Sequence, residues 1–280
     1  MAVNLTEKFA SKVDEKLKLE ALTGQAVNND YEFVGAKTVK VYSIDTVEMS
    51  DYKRTGSNRY GEANELGDSV QELTMSQDKS FTFTIDKMNG EESNGARQAG
   101  EALARQIRER VIPMVDLYRL GEMAKKAGTK ATASNLTKTN VADAILAGTE
   151  ALDNAEVSIV GRQLFVTPAT YKLMKQSSDI ILDTEIGQDM KLRGVIAIYD
   201  GMEIIKVPTS RVPSKFGFLI THPVACCSPV KLADYKIHED APGISGSLVE
   251  GRCYFDCFVL ENKKSAIYYH ALEDEYKTFS

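Results

Sequence analysis

The apolar positions near the start of the chain fall on one helical face. Leu5, Phe9, Val13 and Leu17 follow at i+4 spacing, Asn4 with Glu7 forms a capping-box pattern, and Gly24 is placed to stop the helix. Residues 4 to 22 therefore read as a terminal amphipathic helix. The polar stretch Gln25 to Asp30 follows and leaves that helix little adjacent chain to pack on. Docking on a neighbouring copy and docking on its own body both remain open.

The period then changes to two. Thr38 to Ile44 and Lys79 to Ile85 have strand character, the second alternating Phe81, Phe83 and Ile85 with Thr82 and Thr84. They read as the two arms of a hairpin. Between them lies a long polar insertion holding Asp51, Tyr52, Lys53, Arg54, Gly56, Asn58, Arg59, Tyr60 and Gly61, with too few apolar residues for a core of its own. Loops this long are uncommon in compact domains and are generally functional. An extended arm reaching across a partner and a surface hairpin are the two readings of it.

Residues 93 to 127 carry the strongest helical pattern. Ala99, Leu103, Ile107, Val111 and Val115 lie one turn apart, Ser93 or Asn94 is available as a cap, and Gly128 ends the run. A helix that long spans roughly 50 Å, well beyond the usual three turns. Pro113 sits inside it, where it removes a backbone donor and is expected to bend or divide the helix.

A compact α+β stretch follows. It comprises a helix from Val141 to Leu152, a strand from Gln163 to Val166, and a helix opening at Pro168 behind the cap residue Thr167. Val195 to Tyr199 and Met202 to Val207 flank Asp200-Gly201, which suits a type I′ hairpin turn. Further strands are placed at Phe216 to Thr221, Val230 to His238, Leu248 to Leu260 and Ala266 to His270; with no helices between them, they are expected to pair antiparallel.

Composition narrows the function classes. Near-average hydrophobic content in 280 residues, with a net charge of only −6, describes a folded chain with a real core. That acidic balance argues against phosphate coating as the main task, and Arg105, Arg108 and Arg110 are interleaved with Glu109 as on a solvated helix face. No apolar run reaches membrane-spanning length and no secretory segment opens the chain, so synthesis in the cytoplasm and no membrane partner are expected.

Common catalytic signatures are absent: there is no GxxxxGK[ST], no GxGxxG after a strand, no HExxH and no GxSxG. The best metal candidates are His222, Cys226, Cys227, Cys253 and Cys257. Their spacing does not fit tight zinc knuckles, because Cys226 and Cys227 are adjacent and an i, i+4 pair in a strand stands about 13 Å apart. Core thiols are the expectation. The acid pairs Glu91-Glu92, Glu239-Asp240 and Glu273-Asp274 read as surface charge. No enzyme activity, cofactor or metal is expected.

The order of elements and several local phrases together resemble the major capsid proteins of tailed double-stranded DNA bacteriophages. The phrases are Lys37-Thr38-Val39-Lys40-Val41, Asp51-Tyr52-Lys53-Arg54 with Arg59-Tyr60-Gly61, and Gln77-Asp78-Lys79-Ser80-Phe81-Thr82. Later ones are Gly201 to Pro208 with Ser210-Arg211-Val212-Pro213, then Asp256 to Leu260 with Asn262-Lys263-Lys264 and Ala266-Ile267-Tyr268. The resemblance covers about residues 5 to 272 and rests on order and spacing, since none of these phrases is a catalytic signature.

What the resemblance implies is an α+β capsid fold. Its parts would be an N-terminal arm (1–36), an extended hairpin loop (37–92), and a peripheral domain with a spine helix and antiparallel strands (93–128 and 239–272). An axial domain (129–238) and a C-terminal tail (273–280) complete it. Such a subunit would self-assemble into pentamers and hexamers of an icosahedral virion shell around double-stranded DNA, with a portal and separate scaffolding or decoration proteins as partners. Subunit contacts would fall on Phe9 and Val13 of the arm and on Tyr52, Arg54, Arg59 and Tyr60 at the hairpin tip. The chain begins almost directly with the arm, so a separate scaffold, or none, is expected. Lys53 and Asn262 lie where some relatives form isopeptide cross-links, yet no motif fixes that pairing. The rivals are an encapsulin nanocompartment shell of the same fold and, from another class, a metal-dependent α+β hydrolase using the late Cys and His residues.

Overall fold

The computed structural model describes residues 21–31, 38–61, 65–86, 95–177, 198–239, 241–243 and 245–273. Almost all of the terminal helix read at residues 4 to 22 therefore lies outside the described residues. The described chain opens with a 3-10 turn at Gly24–Ala26, then β1 (Thr38–Ile44), β2 (Asp68–Thr74) and β3 (Gln77–Asp86). Helix α1 (Gly95–Gln106) runs through a π turn (Ile107–Val111) into α2 (Ile112–Lys126). Next come β4 (Thr129–Lys130), α3 (Val141–Asn154), β5 (Gln163–Val166) and α4 (Pro168–Gln176). β6 (Ile198–Tyr199), β7 (Met202–Lys206) and β8 (Phe216–Thr221) follow. The last strands are β9 (Cys226–Cys227), β10 (Val230–Glu239), β11 (Gly246–Phe255), β12 (Phe258–Val259) and β13 (Ile267–Ala271).

Six strands in the order β4-β13-β8-β5-β7-β6 form a sheet covered on both faces. Along β5, Phe165 faces one cluster with Leu120, Met123 and Ala124 of α2, while Leu164 and Val166 face another with Val141, Ile145 and Leu152 of α3 and Tyr171 and Met174 of α4. Two apolar faces explain why β8 reads as an unbroken hydrophobic run in which every residue is buried. Asp200 and Gly201 both take positive φ, +49° and +73°, so the β6–β7 turn has the left-handed geometry expected of Asp-Gly.

The second sheet, β10-β11-β3, is antiparallel and lies on the first half of the long helix. Ala99, Leu103, Ile107, Val111 and Val115 pack there against Phe81, Phe83, Tyr235, Val249 and Phe255. Gly251 has Phe81 and Tyr235 as its register partners, and a Cβ there would meet both rings at 2.4 and 2.8 Å. The glycine lets the two rings close over the strand.

One helix thus serves both sheets, and its proline is accommodated rather than broken at. Pro113 falls in the first turn of α2, directly after the π turn, where the Ile112 amide donates to the Ile107 carbonyl. Apolar residues spaced at four drift about 40° per step around an ideal helix. A π turn absorbs one extra residue and restores the stripe to the sheet side, which keeps Ile107 and Val111 buried while Arg108, Glu109 and Arg110 face solvent.

Two sequence expectations are corrected. The partner of β1 is Asp68–Thr74 rather than Lys79 to Ile85; the latter lies in β3, bonded to β11. The Phe81, Phe83, Ile85 alternation belongs to a strand facing a helix, whereas β2 faces the protein mainly through Leu73 and Gln71 and gives a weak apolar signal. The single strand read at Leu248 to Leu260 is divided at Asp256 and Cys257 into β11 and β12, which belong to different sheets. β10 joins the three-stranded sheet on the long helix, and β13 joins the six-stranded sheet.

His270 on β13 is buried, stacked on Phe218 at 5.0 Å and 6°, with Nε2 3.1 Å from the Ser134 carbonyl oxygen. Burial lowers its pKa, opposed by that carbonyl. Below the ordinary histidine value of about 6.5 the unfolded chain binds a proton that the folded chain resists, so stability is full above that value and falls as pH drops through it. Urea midpoints at pH 7, 6 and 5 are expected to decline, and His270→Phe, which keeps a stacking ring, is expected to flatten that decline.

Candidate assembly arms and their anchorage

The β1–β2 ribbon runs in register from Thr38 opposite Thr74 to Ile44 opposite Asp68. Its two faces differ. On the inner face Val39, Val41 and Leu73 pack with Phe258 and Leu260, and the Gln71 amide both donates to the Val259 carbonyl and accepts from the Glu261 amide at 3.0 Å. Asn262 Nδ2 donates to Ser43 Oγ on the same face at 3.2 Å. The outer face carries the Lys40–Glu72 ion pair but also Tyr42, Ile44 and Val70, exposed by 66%, 69% and 46%. Beyond the strands Val47, Met49 and Leu66 are exposed as well. A two-stranded ribbon is marginal in water by itself, and apolar side chains of this number on one projecting arm mark a contact surface.

At the tip, the Tyr52 and Tyr60 rings meet edge-to-face at 5.0 Å. The Lys53 amide donates to the Arg59 carbonyl at 2.9 Å, Arg59 Nε donates to the Gly56 carbonyl at 3.2 Å, and Ser50 Oγ donates to the Tyr60 carbonyl at 3.1 Å. Gly56 and Asn58 supply the positive φ values the bend requires. The structure thus brings Tyr52, Arg59 and Tyr60 into one small closed tip, with Arg54 exposed on it. Phe9 and Val13 lie outside the described residues.

Sequence reasoning missed what holds the arms. Asp116 and Arg119 of α2 are both buried. Asp116 accepts from the Leu22 and Thr23 amides at 3.4 and 3.3 Å, from Thr23 Oγ1 at 2.7 Å and from Arg211 Nη1 at 3.1 Å. Arg119 donates to Ser228 Oγ and Thr23 Oγ1, and Ser228 Oγ donates to the Asp256 carbonyl at 2.7 Å. The Asp256 carboxylate in turn accepts from the Ser76 amide at 2.6 Å, Ser76 Oγ at 3.0 Å, Tyr118 Oη at 2.7 Å and its neighbour's amide at Cys257. Burial and the Asp256 carboxylate together push the Tyr118 pKa far above the ordinary phenol value, so Tyr118 remains a donor.

This network ties the chain leaving the N-terminal segment, at Leu22 and Thr23, and the base of the ribbon, at Ser76, to one stretch of helix. A signal was present in the sequence. Asp116 and Arg119 fall on the apolar phase shared by Val115, Leu120 and Met123, and Asp256 interrupts a hydrophobic strand run. A charge at a core phase demands partners, because an unpaired one is costly to bury.

The metal candidates do not gather. His222 Nδ1 accepts from the Val224 amide while Nε2 faces the Val160 carbonyl; Cys226 and Cys257 share one core cluster and Cys253 belongs to another. Among the described residues no three His, Cys, Asp or Glu side chains are grouped as metal ligands, and no helix is long and apolar enough to cross a membrane. Of the acid pairs, Glu239 and Glu273 are exposed, and their other members lie outside the described residues.

No family model and no curated protein matches the chain. Solved structures do. A chain from Mycobacterium phage Che8 is 19% identical with a TM-score of 0.69, covering 89% of this chain and 90% of that one. A chain of the mature capsid of bacteriophage PhiM1 is 12% identical with a TM-score of 0.68, covering 85% and 83%. The virus-like particle from Pyrococcus furiosus is 15% identical with a TM-score of 0.55, covering 96% and 100%. At these identities the likeness establishes the fold: the chain has the mixed α+β fold of tailed-phage capsid proteins.

Asp256→Ala leaves four donors around the ribbon base without their acceptor and is expected to cost about 3 kcal/mol of stability. Tyr118→Phe, which removes a single donor, is expected to cost about 1 kcal/mol. Urea denaturation of the two variants beside the parent protein measures both.

Proposed function

We propose that this chain is a shell-building subunit, the major capsid protein of a tailed phage, whose copies assemble into pentamers and hexamers of a closed icosahedral head around double-stranded DNA. The observation that carries the reading is the ribbon: an arm held firmly at its base, with Tyr42, Ile44, Val70 and Val47 left in water. A second copy covering that face supplies the missing burial, as extended elements in symmetric assemblies commonly require. The capsid fold supports the same conclusion.

In this reading the ribbon and the N-terminal segment, with Phe9 and Val13, lie over neighbouring subunits. Tyr52, Arg54, Arg59 and Tyr60 make contacts at the tip, and the six-stranded module meets its copies around each capsomer axis. The proposed role is structural rather than catalytic, and the site of action is the virion, with a portal and separate scaffolding or decoration proteins as further partners. A net charge of −6 suits a container, since strong attraction would fix the packaged polyanion to its wall.

A second reading, a nanocompartment shell enclosing protein cargo, is favoured by the span of the match to the Pyrococcus particle, which covers all of that chain. The absorbance ratio of particles purified from their source separates the two, because packaged DNA raises absorbance at 260 nm and enclosed protein does not.

Deleting residues 50 to 66 removes the tip while leaving the anchoring network untouched. The expected product is a soluble, folded subunit that forms no closed shells under negative-stain electron microscopy, beside a parent protein that does. Normal particles from the deletion variant refute the role given to the arm.

A further inference from the structure

Four cysteines lie in the last quarter of the chain, and the shell reading uses none of them. Cys226 and Cys257 bring their sulfurs to 3.0 Å, with both side chains buried in the core cluster between α2 and the six-stranded sheet. The separation is about 1 Å more than a disulfide bond length. The backbone around them is fixed: Cys226 lies opposite Val259 in the β9–β12 pair, the Leu260 amide donates to the Ala225 carbonyl at 3.1 Å, and the Asn28 amide donates to the Cys226 carbonyl at 2.8 Å. The other two thiols have different surroundings. Cys227 lies beside the backbone of Asp30 and Tyr31, and Cys253 belongs to the cluster under the three-stranded sheet.

We propose that Cys226 and Cys257 are a disulfide-forming pair, reduced as the chain folds and closing to an intrachain bond when a small peroxide oxidises the protein. Hydrogen peroxide converts one thiolate to a sulfenic acid and releases hydroxide, which takes up the proton that thiol gave up. The second thiol attacks the sulfenic sulfur and expels water. Two thiols and one peroxide thereby become one disulfide and two waters. Side-chain rotation and a small approach of two sulfurs suffice, because the strands that carry them are already paired.

The bond closes a loop between positions 31 apart, and that loop contains the whole of β10 and β11. It also fastens the turn carrying Asp256 to β9, so a covalent link backs the noncovalent network at the base of the ribbon. Burial keeps larger disulfides out, and the Cys226 thiol is held protonated by its contact with Cys257 and by burial. Both properties keep the pair reduced until a small oxidant acts over time. The pairing belongs to the folded chain and is read on unassembled protein, so it stands or falls separately from shell building.

The test treats full-length protein, purified under reductant and then freed of it, with equimolar hydrogen peroxide. Thiols titratable in denaturant are expected to fall from four to two. Peptide mapping is expected to find the Cys226 and Cys257 peptides joined and two hydrogens lighter, and Tm is expected to rise by roughly 5 °C, reversibly with reductant. Cys226→Ser and Cys257→Ser each abolish the joined peptide and the Tm rise. Four remaining thiols, sulfinic acids without a bond, a bond between chains, or a link to Cys227 or Cys253 instead overturns the proposal. The mapping on the parent protein decides it even if a variant fails to fold.

Discussion

A carboxylate removed from water must find donors close at hand, and the two buried among the described residues find them on distant segments of the chain. Asp116 draws in Leu22, Thr23 and Arg211, and Asp256 draws in Ser76, Tyr118 and Cys257. Breaking either set exposes no surface to compensate and leaves charge in a medium where it is poorly solvated, so each set behaves as a unit. Packing decides which strands form sheets, while the carboxylates fasten Leu22, Thr23 and Ser76 to one stretch of the long helix and its neighbouring turn.

The long helix makes that arrangement possible. Its first half lies on the three-stranded sheet and its second half on the six-stranded sheet, with Asp116, Tyr118 and Arg119 in the interval between the two apolar contacts. A polar network survives at this place because it is walled by hydrophobic clusters on either side yet is fully supplied with donors. The π turn keeps both halves of the helix in phase with their sheets across Pro113, so both sheets pack on one continuous helix.

How much was legible followed from how locally each element is determined. Asp200-Gly201 specifies its turn by backbone conformation alone, and the spacing of Ala99 to Val115 specifies a helix face; both were readable. The β1–β2 pairing was not, because one face of β2 is solvent and its inward residues are Gln71 and Leu73, leaving no alternation to detect. The stronger pattern of Phe81, Phe83 and Ile85 was correctly a strand but belonged to another sheet, a choice set by contacts more than 150 residues apart in sequence. The tip residues stand out as an unusual polar insertion. Asp116 and Asp256 did not, since a single charge in an apolar run announces a partner without naming it.

Only Met75 and Ser76 separate the ribbon from the strand that anchors it. Seven residues of extended chain reach about 24 Å from that joint before the tip begins. A rotation of roughly 10° at the joint therefore sweeps the end of the strands through about 4 Å, the scale of a side-chain contact. Asp256 fixes the joint, and Gln71 and Ser43 fasten the ribbon farther out, so any such rotation works against contacts at both places. In the proposed shell, small adjustments of this kind would let the arms of copies at positions of differing curvature land on the same footing.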